Sequence, residues 1–538
     1  MRAKSIRNRM AYGVQVAVAA TAVAFASTAY ADDYHRSKSH ITPYAPQMAA
    51  DTGLGWGTNS VFTIGESIGD YTPPGIPDGM FAWGRRHGKV ELLVNHELTA
   101  DAGYPYVLKS GAILTGARVS YFDIDRDTRR VTKAGLAYDT IYSRAGKVVS
   151  SPADLEFGGL NRLCSANGVR KGDFGFVDDI FFTGEETGGG TEWALDVKSE
   201  KLWAAPAMGR AAWESVTAIQ PPSHRHVALL VGDDRQAAPL LLYVGKKYSG
   251  KKGGNFLARN GLAKGNVYVW VSDTGDIDPS HFNGTGATRS GKFVEIKVYD
   301  PKMAGQPGYD DLGYADQDTQ DAMAAAVGAF QFSRPEDVGT NPANHLQVAF
   351  ASTGRPSLFP DDSWGTTYQV DVSYSWENGK LMPKGFLTVL YDGDDAGAGQ
   401  FPGPDYGLRS PDNLTWADNG KIYLQEDRSI GDFGLTSGQE ASIWELNPQD
   451  GSLLRIAQID RNVVAPVGVT DSDPLDIGDW ESSGIIDVTS LFKTEPGETL
   501  LLGNTQAHSI RDGVIGGKEG LVQGGQLFFL NEWAVIEE

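Results

Sequence analysis

The sequence contains a single cysteine, Cys164, among 538 residues. One thiol cannot form a disulfide within the chain, so a fold held together by internal disulfide bonds is excluded. Cys164 lies in the polar, glycine-flanked segment 159–165, where a cysteine that only fills space is unexpected. Three interpretations remain open at this point: a packing residue, an exposed thiol, or a ligand of a bound group.

Long apolar runs are also scarce. The one long run, residues 11–25, is rich in alanine and valine and is too short for a stable membrane span. It is preceded by the basic residues Arg2, Lys4, Arg7 and Arg9. Because the small-residue sequence Ala29-Tyr30-Ala31 follows it, we predict a secretory signal peptide over residues 1–31 and a periplasmic or secreted protein without an integral membrane segment. Arg7 and Arg9 are not adjacent, so the general export route is expected rather than the twin-arginine route.

Basic residues are outnumbered by acidic ones, 47 to 68, which gives a formal net charge of -21. Removal of the four basic residues of the signal peptide would bring the charge to about -25. Such a surface repels a phosphate backbone, so nucleic-acid binding is excluded. The acidic excess either serves solubility or supplies oxygen ligands for hard cations such as Ca²⁺. The acidic residues lie largely in predicted loops, which favours the second interpretation.

The chain is rich in residues of turns and strands, with 66 glycines, 26 prolines, 12 tryptophans and 21 tyrosines. Four segments of alternating apolar residues around a polar turn predict β-hairpins: 118–133, 193–203, 368–390 and 442–459. We therefore predict an all-β fold, a six-bladed β-propeller with loop and short helical insertions, as a single domain over residues 32–538. A sandwich pair is the alternative. One helix is predicted over 315–329, and a long surface loop that could act as a lid over 392–406.

Polar and acidic motifs recur where predicted strands begin or end. Seven of them follow one another along the chain: Asn95-His96-Glu97, Arg162-Leu163-Cys164-Ser165, Gly184-Glu185-Glu186, Gly209-Arg210 with Glu214, Gly232-Asp233-Asp234, Arg334-Pro335-Glu336 and Ser410-Pro411-Asp412-Asn413-Leu414. Each motif alone is weak. In this order they resemble the PhoX-type alkaline phosphatases, a family of β-propeller enzymes. The tail from Asp479 to Leu527 resembles a group of bacterial members of the same broad family.

The resemblance implies a calcium and iron (Fe³⁺) cluster at the propeller mouth. Cys164 would be an iron ligand, and Glu214 and Glu336 would be carboxylate ligands between the ions. Further metal ligands would be Asp233, Asp412, Asp427, Glu186 and Glu97. Arg334 would face the substrate phosphate, which makes Arg334 and Cys164 the candidate catalytic residues. This donor set suits its metals, because ferric iron stabilises a thiolate and carboxylates whereas calcium takes six to eight oxygens.

The resemblance further implies a monomer that hydrolyses a small phosphate ester, with the metals acting as Lewis acids. The sequence departs from the family pattern at Trp213, where the family usually has a histidine. Two other functions stay open: a calcium-dependent lactonase or phytase-like propeller hydrolase, and a non-catalytic binding propeller stabilised by calcium.

Several candidate residues also have structural interpretations. Glu214 and Glu336 could form ion pairs with Arg210 and Arg334, respectively. Asp412 could cap a turn, and His96 could bond the backbone. The adjacent carboxylates of Asp233 and Asp234 repel each other, so a neutralising cation is expected beside them.

Overall fold

The computed structural model describes residues 39–248, 254–517 and 520–533. The predicted signal peptide therefore lies outside the described residues. Alternating burial along the strands follows the alternation of apolar and polar residues, as in Arg118–Asp125, where valine, phenylalanine and isoleucine are buried and the intervening acidic residues are only partly so.

The described residues form twenty-nine strands. In chain order they are β1 Met48–Ala50, β2 Trp56–Thr63, β3 Pro77–Arg85, β4 Lys89–His96, β5 Tyr106–Val107, β6 Ile113–Leu114, β7 Arg118–Asp125, β8 Val131–Leu136, β9 Thr140–Tyr142, β10 Leu163–Val169, β11 Ile180–Glu185, β12 Glu192–Asp196, β13 Lys201–Ala204, β14 Trp213–Ile219, β15 His226–Asp233, β16 Leu241–Lys246, β17 Gly265–Ser272, β18 Thr288–Ile296, β19 Pro335–Thr340, β20 Gln347–Ser352, β21 Thr366–Glu377, β22 Lys380–Asp392, β23 Pro411–Trp416, β24 Ile422–Glu426, β25 Ser442–Leu446, β26 Leu453–Ile459, β27 Glu481–Asp487, β28 Thr499–Ala507 and β29 Gly524–Glu532.

Helices are short and few among the described residues. The α-helices are α1 Phe256–Arg259, α2 Gln317–Ala326, α3 Ala396–Gly399 and α4 Gly513–Gly516, and single 3-10 turns lie at Thr52–Leu54, Pro152–Asp154, Asp173–Gly175, Pro206–Met208, Pro301–Met303 and Pro404–Tyr406. The helix predicted over 315–329 is confirmed as α2. Asp316 caps its N-terminus by accepting a hydrogen bond from the backbone N–H of Thr319. None of these helices has the length and apolar character needed to cross a membrane.

The strands form four-stranded antiparallel units arranged around an axis. Their strand orders are β3-β4-β7-β8, β10-β11-β12-β13, β14-β15-β16-β17, β19-β20-β21-β22, β23-β24-β25-β26 and β27-β28-β29-β2. The first strands of the units contact one another in a closed ring, β3 to β10, β14, β19, β23, β27 and back to β3. The predicted all-β propeller is confirmed. The third and fourth units share one sheet, because β18 pairs with both β17 and β22.

The N-terminal strands close the ring. β2 pairs with β29, with Trp56 opposite Glu532, so a strand from the start of the described chain completes the unit built from its end. β1 pairs with β26 in the preceding unit. Closure of this kind covers sheet edges that would otherwise be free to pair with another chain.

The four predicted hairpins are confirmed as β7-β8, β12-β13, β21-β22 and β25-β26. In the longest of them, Asn378 and Gly379 both adopt positive φ, 51° and 78°. This is the two-residue turn that matches the twist of antiparallel strands and that favours Asn-Gly.

The segment 392–406 differs from the open loop that the sequence predicts. It contains α3 and a 3-10 turn, and Asp392 and Asp405 are buried. Asp405 accepts hydrogen bonds from the backbone N–H groups of Gly434, Thr436 and Ser437 at 2.7–2.8 Å. The acidic residues that suggested a lid instead bind neighbouring backbone, so the segment is packed against the fold.

Candidate functional site

Each of the six first strands carries a register shift near its start. A bulge of this kind places two residues opposite one and turns a side chain out of the regular alternation. At the bulges lie six buried residues that we call the inner ring: Asp78, Cys164, Glu214, Glu336, Asp412 and Ser483. They occupy equivalent positions in the six units, so the propeller symmetry brings residues distant in sequence to one axis.

A second set lies where the second strand of each unit ends. These residues, which we call the outer ring, are Glu97, Glu186, Asp234, Thr353, Asp427 and Gln506. Five of them directly follow the last residue of their strand, and Gln506 is the next-to-last residue of β28. Glu97, Asp234 and Asp427 are partly exposed, whereas the inner ring is buried. The outer ring therefore separates the inner ring from solvent.

The two rings alternate around the axis. In each of three groups the donor atoms lie within 4.8 Å of one another: Asp78, Glu97 and Cys164; Cys164, Glu186 and Glu214; Glu214, Asp234 and Glu336. Each group joins two inner-ring residues through one outer-ring residue.

Two further outer-ring residues, Thr353 and Gln506, contact the inner ring through hydrogen bonds. The Thr353 hydroxyl donates to Glu336. Gln506 Nε2 lies 2.7 Å from Asp78 Oδ2 and 3.4 Å from Ser483 Oγ, so it joins the sixth unit to the first.

Cys164 is the centre of this arrangement. It is 7% exposed, and its Sγ lies 3.4 Å from Asp78 Oδ2 and 3.5 Å from Glu214 Oε1. Burial, and then the charges of Asp78 and Glu214, raise the pKa of the Cys164 thiol well above its ordinary value. Asn95 Nδ2 holds the strand from behind by donating to the Cys164 carbonyl at 2.6 Å. A thiol surrounded by carboxylates is a poor nucleophile on its own but a ready ligand for a cation.

The carboxyl groups of the rings are in an environment that opposes their ionisation. Burial, and then the charges of neighbouring carboxylates, raise the pKa values of Asp78, Glu186, Glu214, Glu336 and Asp412 well above their ordinary range. The buried Asp78 Oδ1 has no hydrogen-bond partner in the described part of the chain. Cations among these groups would remove the repulsion, and oxygen donors with one sulfur fit calcium and iron.

Two arginines border the rings at equivalent positions, each just before a first strand. Arg334 binds Asp234 through Nε and Nη2, both at 2.7 Å, and its Nη2 is 3.2 Å from Glu336 Oε1. Burial opposes ionisation of Asp234, but the Arg334 charge outweighs it and lowers the pKa of Asp234 to about 2. Arg162 Nη2 lies 2.7 Å from Glu97 and 2.5 Å from Glu186. Arg210 pairs with Glu156 and not with Glu214.

The structure places Asp234, and not Asp233, in the rings. The two Asp233 oxygens accept hydrogen bonds from Arg235 Nη2 at 2.8 Å, Arg235 Nε at 2.9 Å and the Ala212 N–H at 2.9 Å. Asp233 ends β15 and lies opposite Trp213, whereas Asp234 follows the strand. The neutralising cation expected beside this acidic pair is thus an arginine for each carboxylate, Arg235 for Asp233 and Arg334 for Asp234.

Replacement of these two neighbours is expected to separate activity from stability. Asp234→Asn should lower kcat/KM for the phosphate-ester hydrolysis that the sequence resemblance implies at least about 10-fold, because it removes a ring carboxylate and the partner of Arg334. Asp233→Asn should chiefly lower the free energy of unfolding, by about 2 kcal/mol, because it weakens charged hydrogen bonds to Arg235. Initial rates and urea unfolding of both variants test this. The assignment fails if Asp233→Asn is the less active of the two.

Two further features were missed at the sequence level. Asp78 lies in Pro77-Asp78-Gly79, and the signal that could have revealed it is the likeness of this segment to Pro335-Glu336-Asp337 and Pro411-Asp412-Asn413.

Glu481 and His508 form the second feature, with Nε2 of His508 3.4 Å from Oε2 of Glu481. Burial and Asp427 raise the pKa of Glu481 to about 7. Burial lowers the pKa of His508, but its bond to Glu481 outweighs this and raises it to about 9.

His96 and Trp213 support the site from outside the rings. His96 is buried, and its ring nitrogens lie 3.1 Å from the Gly75 carbonyl and 2.7 Å from Ser120 Oγ. Burial lowers the pKa of His96 to about 3, so it stays neutral. Trp213 is buried, and its Nε1 donates to the Gly190 carbonyl at 3.0 Å. Both residues hold backbone in place.

The axis opens into a pocket of about 840 Å³ that we call the mouth pocket. Its wall includes the outer-ring residues Glu186 and Asp234 and five arginines: Arg162, Arg235, Arg334, Arg355 and Arg428. Cationic side chains thus stand above a buried acidic cluster. An anion entering the pocket would meet the arginines before it reached the rings.

The family model of alkaline phosphatase PhoX matches residues 195–468. Pseudomonas fluorescens PhoX, solved in complex with vanadate, a transition state analogue, is 14% identical, covers 92% of this chain and 97% of its own, and superposes with a TM-score of 0.57. At this identity the likeness shows the fold alone. Saccharomyces cerevisiae Sqt1 is 8% identical over 88% of this chain and 99% of its own, with a TM-score of only 0.27. No curated protein matched the sequence. Because the family model covers half of the chain, the chain belongs to the alkaline phosphatase PhoX family of phosphoric-ester hydrolases.

Proposed function

We propose that this protein is an exported phosphatase that hydrolyses small phosphate esters with the help of calcium and iron ions bound by the inner and outer rings. The observation that carries the proposal is the position of Cys164 Sγ, 3.4 Å and 3.5 Å from two inner-ring carboxylates. Export follows from the predicted signal peptide and the general export route.

The charge of the site supports bound cations. Nine carboxyl groups lie in or beside the rings: Asp78, Glu97, Glu186, Glu214, Asp234, Glu336, Asp412, Asp427 and Glu481. Against them stand two arginines, Arg162 and Arg334, and the single histidine His508. So many carboxylates, six of them buried, cannot all ionise without further positive charge.

The rings divide by donor type. Cys164 with Glu214 and Glu336 would hold iron, because a thiolate with carboxylates suits ferric iron better than calcium. Asp412, Asp427, Glu97 and Glu186 would hold calcium, with Asp234 in the place first given to Asp233 and Asp78 as an added ligand. When bound, these cations supply Lewis acidity toward the phosphoryl oxygens.

Arg334 would bind and orient the phosphate. Its bidentate pair with Asp234 fixes the guanidinium plane, and its Nη1 has no hydrogen-bond partner among the described residues. A fixed cation stabilises charge on the equatorial oxygens of the phosphoryl group more than a mobile one does. Arg162, held by Glu97 and Glu186, offers a second cation on the same wall.

The proposal is tested on protein purified from the periplasm. We expect elemental analysis to detect calcium and iron, and the same sample to hydrolyse phosphomonoesters in an assay that a chelator abolishes. Hydrolysis of lactones without phosphatase activity would instead favour the lactonase alternative. Failure on phosphomonoesters, phosphodiesters and lactones after reconstitution with both metals would favour a binding propeller.

Arg334→Ala is expected to lower kcat/KM for phosphomonoesters by about 100-fold or more, in the range seen when one donor to a developing charge is removed. Arg334→Lys should recover only part of this loss, since an ammonium cannot reproduce the fork that Asp234 binds. Steady-state kinetics of both variants, with thermal unfolding as a control for folding, provide the measurement. An alanine variant that is folded and within about 3-fold of wild-type activity would contradict the assigned role.

A further inference from the structure

The five arginines of the mouth pocket are not equivalent. Four of them are paired with carboxylates: Arg162 with Glu97 and Glu186, Arg235 with Asp233 and Asp321, Arg334 with Asp234 and Glu336, and Arg428 with Asp476. Arg355 is the exception. Within residues 39–248, 254–517 and 520–533, no carboxylate forms an ion pair with it.

The position of Arg355 is well defined. It lies two residues beyond the outer-ring residue Thr353, whose hydroxyl bonds Glu336. The Arg355 N–H donates to the Asp362 carbonyl at 2.9 Å, and the Arg355 carbonyl accepts from the N–H groups of Leu358 and Phe359 at 3.0 Å and 2.8 Å. Its backbone is therefore held in a fixed position, from which the residue lines the mouth pocket.

The side chain of Arg355 is anchored at one point only. Its Nε donates to Gln236 Oε1 at 3.2 Å, and Gln236 also lines the mouth pocket. The two terminal nitrogens have no hydrogen-bond partner in the part of the chain that the structure describes. A guanidinium presents paired donors that match a phosphate or a carboxylate. Arg355 thus presents a guanidinium without an ion-pair partner among the described residues in the mouth pocket of a strongly acidic protein.

We infer that Arg355 is a specificity residue that binds a second anionic group of the substrate, a phosphate or a carboxylate, while the scissile phosphate lies deeper at Arg334. The preferred substrates are then phosphate esters that carry a second anionic group. This inference rests on the proposed phosphatase function for its biological meaning, but the recognition itself can be measured without turnover.

The test uses non-hydrolysable matched ligands on the metal-loaded full-length mature protein. Propylphosphonate and 3-phosphonopropionate differ only in a methyl or a carboxylate at the far end, and homologues with longer spacers cover the unknown separation. We expect calorimetry to show that wild type binds the best phosphonocarboxylate about 10-fold more tightly than its alkyl match, as for one charge-assisted bidentate pair. In Arg355→Gln the ratio of the two dissociation constants, alkylphosphonate to phosphonocarboxylate, should fall to about one. Arg355→Lys should retain part of the difference.

Arg428→Gln is the matched control, because Arg428 lines the same pocket but its charge is already paired with Asp476. Its ratio should stay near that of wild type. The inference is overturned if no spacer length gives an Arg355-dependent ratio, or if Arg428→Gln abolishes the ratio equally. Turnover of glycerol 3-phosphate and 3-phosphoglycerate is assayed in parallel. Absence of turnover with these two esters and with every other phosphomonoester assayed would refute the proposed function, whereas the binding ratio decides the role of Arg355 in either case.

Discussion

Cys164→Ser and Cys164→Ala are expected to lower kcat/KM for phosphomonoesters by at least about 100-fold, because even residues that only support metal ligands cost 10- to 100-fold when removed. Cys164 is the one thiol in the chain, and its Sγ belongs to two of the three donor groups in the rings. A hydroxyl at this position binds ferric iron far less strongly than a thiolate does. The iron content of the purified variants should fall together with the activity, whereas calcium should be largely retained.

A control on the same strand separates this effect from a packing defect. Asn167 lies three residues further along β10, and its Nδ2 donates to Thr217 Oγ1 at 3.3 Å, away from the rings. Asn167→Ala is expected to stay within about 2-fold of wild-type activity, since it removes only two partly buried hydrogen bonds, each worth about 1 kcal/mol of stability, to Thr217 and to the Gly168 N–H. Full activity and unchanged metal content in Cys164→Ser would contradict the proposed iron site. That result would favour a hydrolase that uses calcium alone.

The propeller could be predicted from the sequence because its signals are local. The hairpins β7-β8, β12-β13, β21-β22 and β25-β26 each combine alternating apolar residues with a polar turn. α2 could be predicted because residues 322–326 consist of strong helix formers around Met323. The candidate ring residues Cys164, Glu214 and Glu336 were found through ordered motifs that each begin a first strand.

The errors at the site came from register, which no local signal determines. A shift of one residue exchanges the two faces of a strand, so sequence alone could not decide between Asp233 and Asp234. The structure distinguishes the two residues by their partners. Arg235 donates hydrogen bonds to both oxygens of Asp233, whereas Arg334 donates to Asp234. Asp78 was missed because the equivalence of Pro77-Asp78-Gly79 with later strand starts emerges only once the six bulges are aligned. The segment 392–406 was taken for a lid because the partners of Asp405 lie thirty residues away in sequence.

Removal of bound cations is expected to lower the midpoint of thermal unfolding by at least about 5 °C, because each tightly bound ion contributes a few kcal/mol to the folded state. The physical reason is the inner ring, where burial and neighbouring carboxylates oppose ionisation of Asp78, Glu214 and Glu336. Calorimetry before and after chelation, followed by readdition of calcium, measures the shift. Calcium alone should restore much of the midpoint but not the activity.

The pH dependence of the chelated protein provides the sharper form of this test. A carboxyl group whose pKa is raised by folding binds its proton in the folded state at a pH where the unfolded chain has released it, so stability falls as pH rises through that window. For Glu481 the window runs from its ordinary value of 4.5 to about 7, and the raised pKa values of the inner-ring carboxyl groups act in the same direction. The chelated protein should therefore lose stability as the pH rises above 4.5, and the metal-loaded protein should lose much less.

Asp78→Asn removes one of the repelling charges at nearly constant volume. It should make the chelated protein more stable than chelated wild type and the metal-loaded protein less active than metal-loaded wild type. If wild type has the same unfolding midpoint at pH 8 before and after chelation, these carboxylates hold no stabilising cation.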